Sequence, residues 1–307
     1  MNDLKRSPIL YMGNKYRLIK KGLIDLFPPD INTFVDVFAG SATVSINTKA
    51  KNFIVNDIDE TLHQYYHLLG SLNANDIIYH IENRITQYKL PRKTTIRCLT
   101  HNKQEIEYYK QSYTKLRNEY NKNRDILDLY TLMFFAFSQQ FRINSKGKFN
   151  MPFGNNCFSQ SNKKAIMEGV GFFKKTNIKY YKKDFKELVL GLKLQQDDFV
   201  YLDPPYSITT AVYNENTLWN KEQEKKLFEV CEYLKKQNVK FGLSNTFCNK
   251  NILNNELITF CNDNHLNVYS PINFNYHACG KENLNQKEVY ICNYKVFQCQ
   301  NFSDVKL

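Results

Sequence analysis

The stretch that most constrains this chain is Phe199-Val200-Tyr201-Leu202-Asp203-Pro204-Pro205-Tyr206. Four residues of strand character run into an acid and two prolines. Proline cannot continue a helix or donate to a ladder, so the run reads as a buried strand ending in a rigid loop. In an α/β sheet, ligands bind at that end of a strand. The residue types suit the handling of a planar exocyclic amine, whose lone pair is delocalised into its ring and which attacks only when other groups accept its hydrogens. Asp203 supplies one acceptor. The carbonyl of Pro204, stiffened by the following ring, supplies a second, and Tyr206 offers a face on which a base stacks. Taken alone, the tetrapeptide also fits a strand followed by a Pro-Pro turn with a capping Asp.

The 307 residues suffice for one large α/β domain with an insertion, or for two domains. Hydrophobic residues at 42%, with only 11 Gly and 8 Pro, argue for a folded chain and against a disordered one. Asp3, Lys5, Arg6, Asn14, Lys15 and Arg17 interrupt the opening, so neither a signal-peptide core nor a spanning helix is expected and a cytoplasmic location is. Eight cysteines without C-x-x-C spacing predict free buried thiols and no metal site. The net charge of +12 is localised: residues 84–124 hold eleven Lys/Arg against three Asp/Glu, and residues 141–183 ten against one. Such blocks suit a polyanion, because each Lys or Arg set against a phosphate releases a condensed counterion. The middle of the chain is therefore expected to hold nucleic acid.

In chain order, Ser7 to Lys15 is an extended segment turning at Gly13-Asn14 into a helix expected over Lys15 to Leu26. Thr33 to Phe38 reads as a strand, and the small residues around Gly40 let backbone approach a ligand at the following turn. Phe53 to Asp57 is a second strand ending in an acid placed to accept ribose hydroxyls, with Asp59 starting the next helix. Helical patterns follow over Asp76 to Tyr88, Glu105 to Tyr120 and Asp125 to Gln140, breaking the βα alternation as an insertion does. Residues 141–154 read as a hairpin with Gly147 at the turn and donors at nearly every other position; Phe149 or Phe153 is expected to wedge or stack. Then come a strand at Ile178 to Tyr181 and Asp184-Phe185, the latter either a cofactor contact or an N-cap with a core Phe. A loop from Ser207 to Trp219 is expected to be a flap over the target base. Helices at Glu222 to Lys236 and Lys250 to Cys261, strands at Val239 to Ser244, Leu266 to Ser270 and Lys287 to Val296, and a long turn over residues 274–285 complete the pattern.

These motifs, in this order, resemble the Dam-like DNA adenine-N6 methyltransferases. Asp203-Pro204-Pro205-Tyr206 looks like their catalytic tetrapeptide; cytosine-N4 enzymes more often carry Ser and protein-glutamine enzymes Asn at its first place. Tyr11, Gly13, Asn14 and Lys15 resemble the amino-terminal cofactor motif, with Asn14 replacing a second glycine. Phe38-Ala39-Gly40-Ser41 keeps the Phe and first Gly of Phe-x-Gly-x-Gly. Residues 142–154 follow R-x-N-x-x-G-x-F-N-x-P-x-G nearly residue for residue. The resemblance implies an α/β fold, a Rossmann-like S-adenosylmethionine-dependent sheet of seven mostly parallel strands with a closing antiparallel one. It implies a catalytic domain of residues 1–71 and 176–307 and an inserted, mostly helical target-recognition lobe of residues 72–175. It further implies Asp203, Pro204 and Tyr206 as catalytic, and Tyr11, Lys15, Phe38, Gly40, Asp57, Asp184, Phe185 and Asp203 as cofactor-binding. Arg142, Asn144, Lys146, Lys148 and Asn150 are implied to contact double-stranded DNA. The implied target is the adenine of GATC, and the resemblance fits both a solitary regulatory enzyme and one with a cognate restriction endonuclease as a genetic partner only. The rival readings are an RNA-base or protein-amide methyltransferase, and an inactive DNA-binding regulator on the same fold.

Overall fold

Period-2 alternation in the strands sorts two kinds of core. In β4 (Phe199–Leu202), Val200 and Leu202 point to one face of the sheet, and Phe199 and Tyr201 to the other. The aliphatic pair joins Val35, Leu188, Val189, Leu227, Val230 and their neighbours; the aromatic pair packs around Phe27, whose ring centroid lies 4.9 Å from Phe199 and 5.3 Å from Tyr201. Because both faces are covered, all four residues of β4 are buried.

The structure is a computed structural model and describes residues 4–92, 103–139, 142–154, 156–206, 219–249, 252–272, 287–296 and 300–305. The chain divides into two compact units: residues 15–39, 47–58 and 177–307, and residues 1–14, 40–46 and 59–176. The second is wider than residues 72–175, because α3 (Glu60–Ser71) and the amino-terminal segment pack within it.

The first unit holds the sheet. Strands β3 (Ile178–Tyr181), β2 (Ala50–Asn56), β1 (Ile31–Asp36), β4 and β5 (Lys240–Asn249) run parallel in that order; β8 (Lys287–Cys292) follows antiparallel, inserted between β5 and β7 (Asn267–Pro271). These are the seven strands expected, closed by an antiparallel one. Two short strands extend them: β6 (Ile252–Leu253) on β5 and β9 (Phe302–Asp304) on β7. Helices α8 (Phe185–Gly191), α9 (Lys221–Lys236) and α10 (Asn255–Asp263) bear the aliphatic core. Two expected helices differ. The one placed over Lys15 to Leu26 is α1 (Tyr16–Lys20) and a separate 3-10 turn, because Gly22 takes φ 98° between them. α10 starts late because β5 continues to Asn249 and pairs with β6.

The second unit carries α2 (Thr43–Asn47) but is built mainly from α3, α4 (Ala74–Tyr88), α5 (Lys103–Asn123), α6 (Ile126–Phe135) and α7 (Gln160–Phe173). Here the fully buried Asp128 accepts from the half-buried Arg84 guanidinium at 2.6 and 2.9 Å, with His80 at 3.2 Å. α6 ends short of Gln140 because Ala136 and Phe137 leave the helix to pair with Phe153 and Pro152, and Ser138 and Gln139 both take positive φ. α7 is absent from the sequence reading. Its signals were a Ser159–Asn162 capping box and apolar residues at Ala165, Ile166, Val170 and Phe173. Phe141, most of the 207–219 loop and the 274–285 turn lie outside the described residues.

Candidate active site

At the carboxyl end of β4 the chain leaves the sheet at Asp203, and the carboxylate is met by Lys15, whose Nζ lies 2.7 Å from Oδ1. Lys15 comes from the turn preceding α1, and its side chain is only 9% exposed. Its ammonium also lies 5.1 Å from the centre of the Tyr206 ring and 3.8 Å from Oε1 of Glu288. The Tyr206 hydroxyl donates to that same Oε1 at 2.9 Å. Beneath it, the hydroxyls of Tyr201 and Ser244 lie 2.7 Å apart. Burial pushes both Asp203 and Glu288 above the ordinary carboxylate range, and the Lys15 ammonium opposes that rise. Lys15, which the sequence reading assigned to cofactor, is thus bonded to the acid of the tetrapeptide. Glu288 belongs to no motif; the one signal for it was an acid directly before the apolar run Val289 to Cys292.

The other expected residues of this unit fall at the ends of neighbouring parallel strands. Phe38 follows β1, Asp57 follows β2, and Asp184-Phe185 follow β3. Asn56, fully buried, ties these ends together: its amide donates to the carbonyls of Val37 and Lys183 at 2.9 and 3.1 Å, and its oxygen accepts from Lys183 N–H at 2.9 Å. Asp184 caps α8, with Oδ1 accepting from the amides of Lys186 and Glu187. Phe185 is buried and packs with Phe38 and Trp219, the three ring centroids 5.3 to 5.7 Å apart. An acid beside a strand end, apolar rings and a buried carboxylate–ammonium pair form a donor set that fits a nucleoside-bearing, amino-acid-bearing cofactor. Tyr11 and Gly40 lie in the other unit, where Gly40 at φ +52° leaves 3.1 Å between a notional Cβ and the Tyr11 ring.

The hairpin is present, with an Ile143–Phe149 bridge and Gly147 at φ 68°. Arg142, Lys146 and Lys148 are exposed. Asn144 is engaged in the turn, its oxygen accepting from the amides of Lys146 and Lys148 at 3.0 and 2.9 Å; Asn150 accepts from Arg142 Nε at 3.0 Å. Of the two expected wedges, Phe149 is 1% exposed against Tyr120, whereas Phe153 is half-buried and packs on Tyr113. Phe137, 58% exposed, lies on the strained turn that ends α6, beside the base of the hairpin. Among the described residues, His80, Asp125 and Asp128 cluster as metal ligands do, but Arg84 holds the Asp128 carboxylate.

A family model for D12 class N6 adenine-specific DNA methyltransferases matches residues 11–268. The modification methylase StsI of Streptococcus sanguinis is 32% identical over 297 residues, covering 94% of this chain and 43% of that protein. The type II methyltransferase M.FokI of Planomicrobium okeanokoites is 32% identical over 302 residues, 95% of this chain and 43% of the other. A DNA adenine methylase of Vibrio cholerae is 23% identical over 223 residues, 68% of each chain. The chain thus spans less than half the length of the first two relatives. With most of its length matched, the tetrapeptide at the end of β4 included, the chain belongs to the D12 class N6 adenine-specific DNA methyltransferase family.

Proposed function

We propose that the chain transfers a methyl group from S-adenosylmethionine to N6 of an adenine in double-stranded DNA. The observation that carries this reading is the Asp203–Lys15 pair at the end of β4, inside a chain of this family. When bound, S-adenosylmethionine supplies an electrophilic methyl group on a sulfonium sulfur. Asp203 accepts one hydrogen of the amine, with Lys15 fixing its other oxygen, and the Pro204 carbonyl accepts the second. Tyr206, tethered by Glu288, presents its ring to the flipped base. Asp57 receives the ribose hydroxyls, and Phe38, Phe185 and Trp219 hold the cofactor's purine, with Asp184 beside it. Tyr11 of the amino-terminal motif and Gly40 of the Phe38–Ser41 motif are proposed as further cofactor contacts on the resemblance of those motifs.

Residues 72–175 are proposed as the target-recognition lobe, with residues 1–71 and 176–307 catalytic. Arg142, Lys146 and Lys148 meet DNA from the hairpin; Asn144 and Asn150 shape it and aim Arg142. Phe137 supplies a stacking surface beside Phe153, the expected wedge that is half-buried. The names of the relatives support a restriction endonuclease as genetic partner. No described helix is long and apolar enough to cross a membrane, which is consistent with a cytoplasmic enzyme.

The test is expression in a methylation-free host followed by single-molecule mapping of N6-methyladenine. Methylated adenine is expected, and none would discard the reading. GATC rests on the hairpin alone, so methylation confined to another motif discards that target and keeps the chemistry. Asp203→Ala should lower turnover at least about a hundredfold with DNA binding kept, since it removes an acceptor used as the amine becomes tetrahedral.

A further inference from the structure

Glu288 lies near the start of β8, opposite Thr246 of β5, and its side chain is 6% exposed. Accepting the Tyr206 hydroxyl would be served equally by the neutral amide of Gln, at a smaller desolvation cost than an ionised carboxylate incurs. A charge kept in such a place calls for a reason beyond hydrogen bonding. The titratable and charged groups facing it are Lys15 from the turn before α1, Asp203 and Tyr206 from the loop after β4, and Tyr201 from β4. Among the described residues, therefore, two carboxylates share one ammonium, at 2.7 and 3.8 Å.

The consequence is electrostatic. Lys15 and Asp203 alone would form a neutral pair, with the aspartate's charge largely spent on the lysine. A nitrogen that attacks a sulfonium methyl gains positive charge as it does so, and in a site shielded from water a net negative cluster stabilises that charge far better than a neutral dipole. We infer that Glu288 is a positioning residue for the methyl transfer: by sharing the Lys15 ammonium, it leaves Asp203 with negative charge to set against the reacting amine. This rests on the adenine-N6 reading above. The upward displacement of both acids by burial agrees with a crowded, poorly solvated pair.

The test uses the full chain, tritiated S-adenosylmethionine and plasmid DNA from a methylation-free host. Glu288→Gln keeps the shape and the acceptor for Tyr206 and removes the charge. Its single-turnover rate should fall at least about tenfold. Calorimetric cofactor affinity and DNA affinity should stay within about threefold of the wild type, the pattern of an interaction made in the transition state. A wild-type rate, or binding losses as large as the rate loss, overturns the inference. Should Glu288→Gln fail to melt cooperatively, Glu288→Met is compared with Tyr206→Phe, which loses the same hydrogen bond and keeps the charge; a rate no lower in Glu288→Met than in Tyr206→Phe overturns the inference. A second readout needs neither cofactor nor activity. In a carbon-13 carboxyl titration, the Asp203 midpoint should move down in the variant, because a like charge has gone and Lys15 is no longer shared. An unmoved midpoint overturns the inference even in an active enzyme, whereas a wild-type chain that transfers no methyl while Asp203 shifts overturns only the catalytic reading.

Discussion

Asp128 and Asp203 are both buried carboxylates beside a cation, and burial pushes each upward; they differ in what opposes it. Asp128 receives His80 and two guanidinium contacts from Arg84, which together hold it below the ordinary carboxylate value. Asp203 has Lys15 and Tyr206 against it and still ends raised, as does Glu288. The signs of their linkage to stability are opposite. Asp128 contributes stability present above the unfolded value of about 3.9, lost as pH falls through its lower folded value. For Asp203 and Glu288, folding is favoured below their unfolded values of about 4, and that advantage is lost as pH rises through their raised folded values. At neutral pH the two acids therefore weaken the fold that carries them. Calorimetry at pH 7 should find Asp203→Asn melting above the wild type while methyl transfer is lost. Asp128→Ala should lose about 1.5 to 3 kcal/mol, the worth of hydrogen bonds to a charged group, since Arg84 keeps only its Gln87 acceptor; a melting temperature equal to the wild type's would refute its role.

At the scale of elements, the hairpin depends on α5. Tyr113, Arg117 and Asn121, spaced four apart on one face of α5, and Arg124 just past its end, bind the carbonyls of Met151, Phe149 and Gly147, and Asn121 also accepts from Phe149 N–H at 2.9 Å. Asn121→Ala leaves both polar groups of the buried Phe149 backbone without this partner, a cost of about 1 to 3 kcal/mol. It should weaken DNA binding and leave S-adenosylmethionine affinity unchanged, as gel shift and calorimetry would show. The base of the hairpin is pinned by Gly154, where a Cβ would sit 2.7 Å from the Ala136 oxygen. That close approach holds the turn carrying Phe137. Phe137→Ala should cost about 1 to 3 kcal/mol of DNA affinity, the worth of one stacked base, with no change in melting temperature. Unaltered affinity would remove Phe137 from the DNA surface. The helix stop after Phe135 was not legible because the cause, pairing with Pro152 and Phe153, lies remote in sequence.

For the whole molecule, the localised charge must be divided before it is used. Arg84 and Arg117 fall in the basic blocks, yet the first is committed to a buried acid and the second to a backbone carbonyl. Lys146→Ala and Lys148→Ala, on the exposed hairpin, should each lower the slope of log affinity against log salt by about one if they meet phosphates. Arg117→Ala should lower stability and leave the slope as it is; a slope that falls equally for all three would show that the blocks act as an undivided field. Much here was readable from residues in order. Two prolines after an apolar strand, glycine at a turn, period-2 runs and motif spacing are local properties, and local backbone chemistry fixes what they become; they yielded the sheet, the hairpin, the tetrapeptide and the family. The choice of partner was not local. That Lys15 pairs with Asp203, and that Tyr206 finds Glu288 82 positions later, follows from β8 entering antiparallel beside β5 and from burial that strengthens the attraction between opposite charges. Distance and solvent exclusion decide such pairings, and both exist only once the chain has folded.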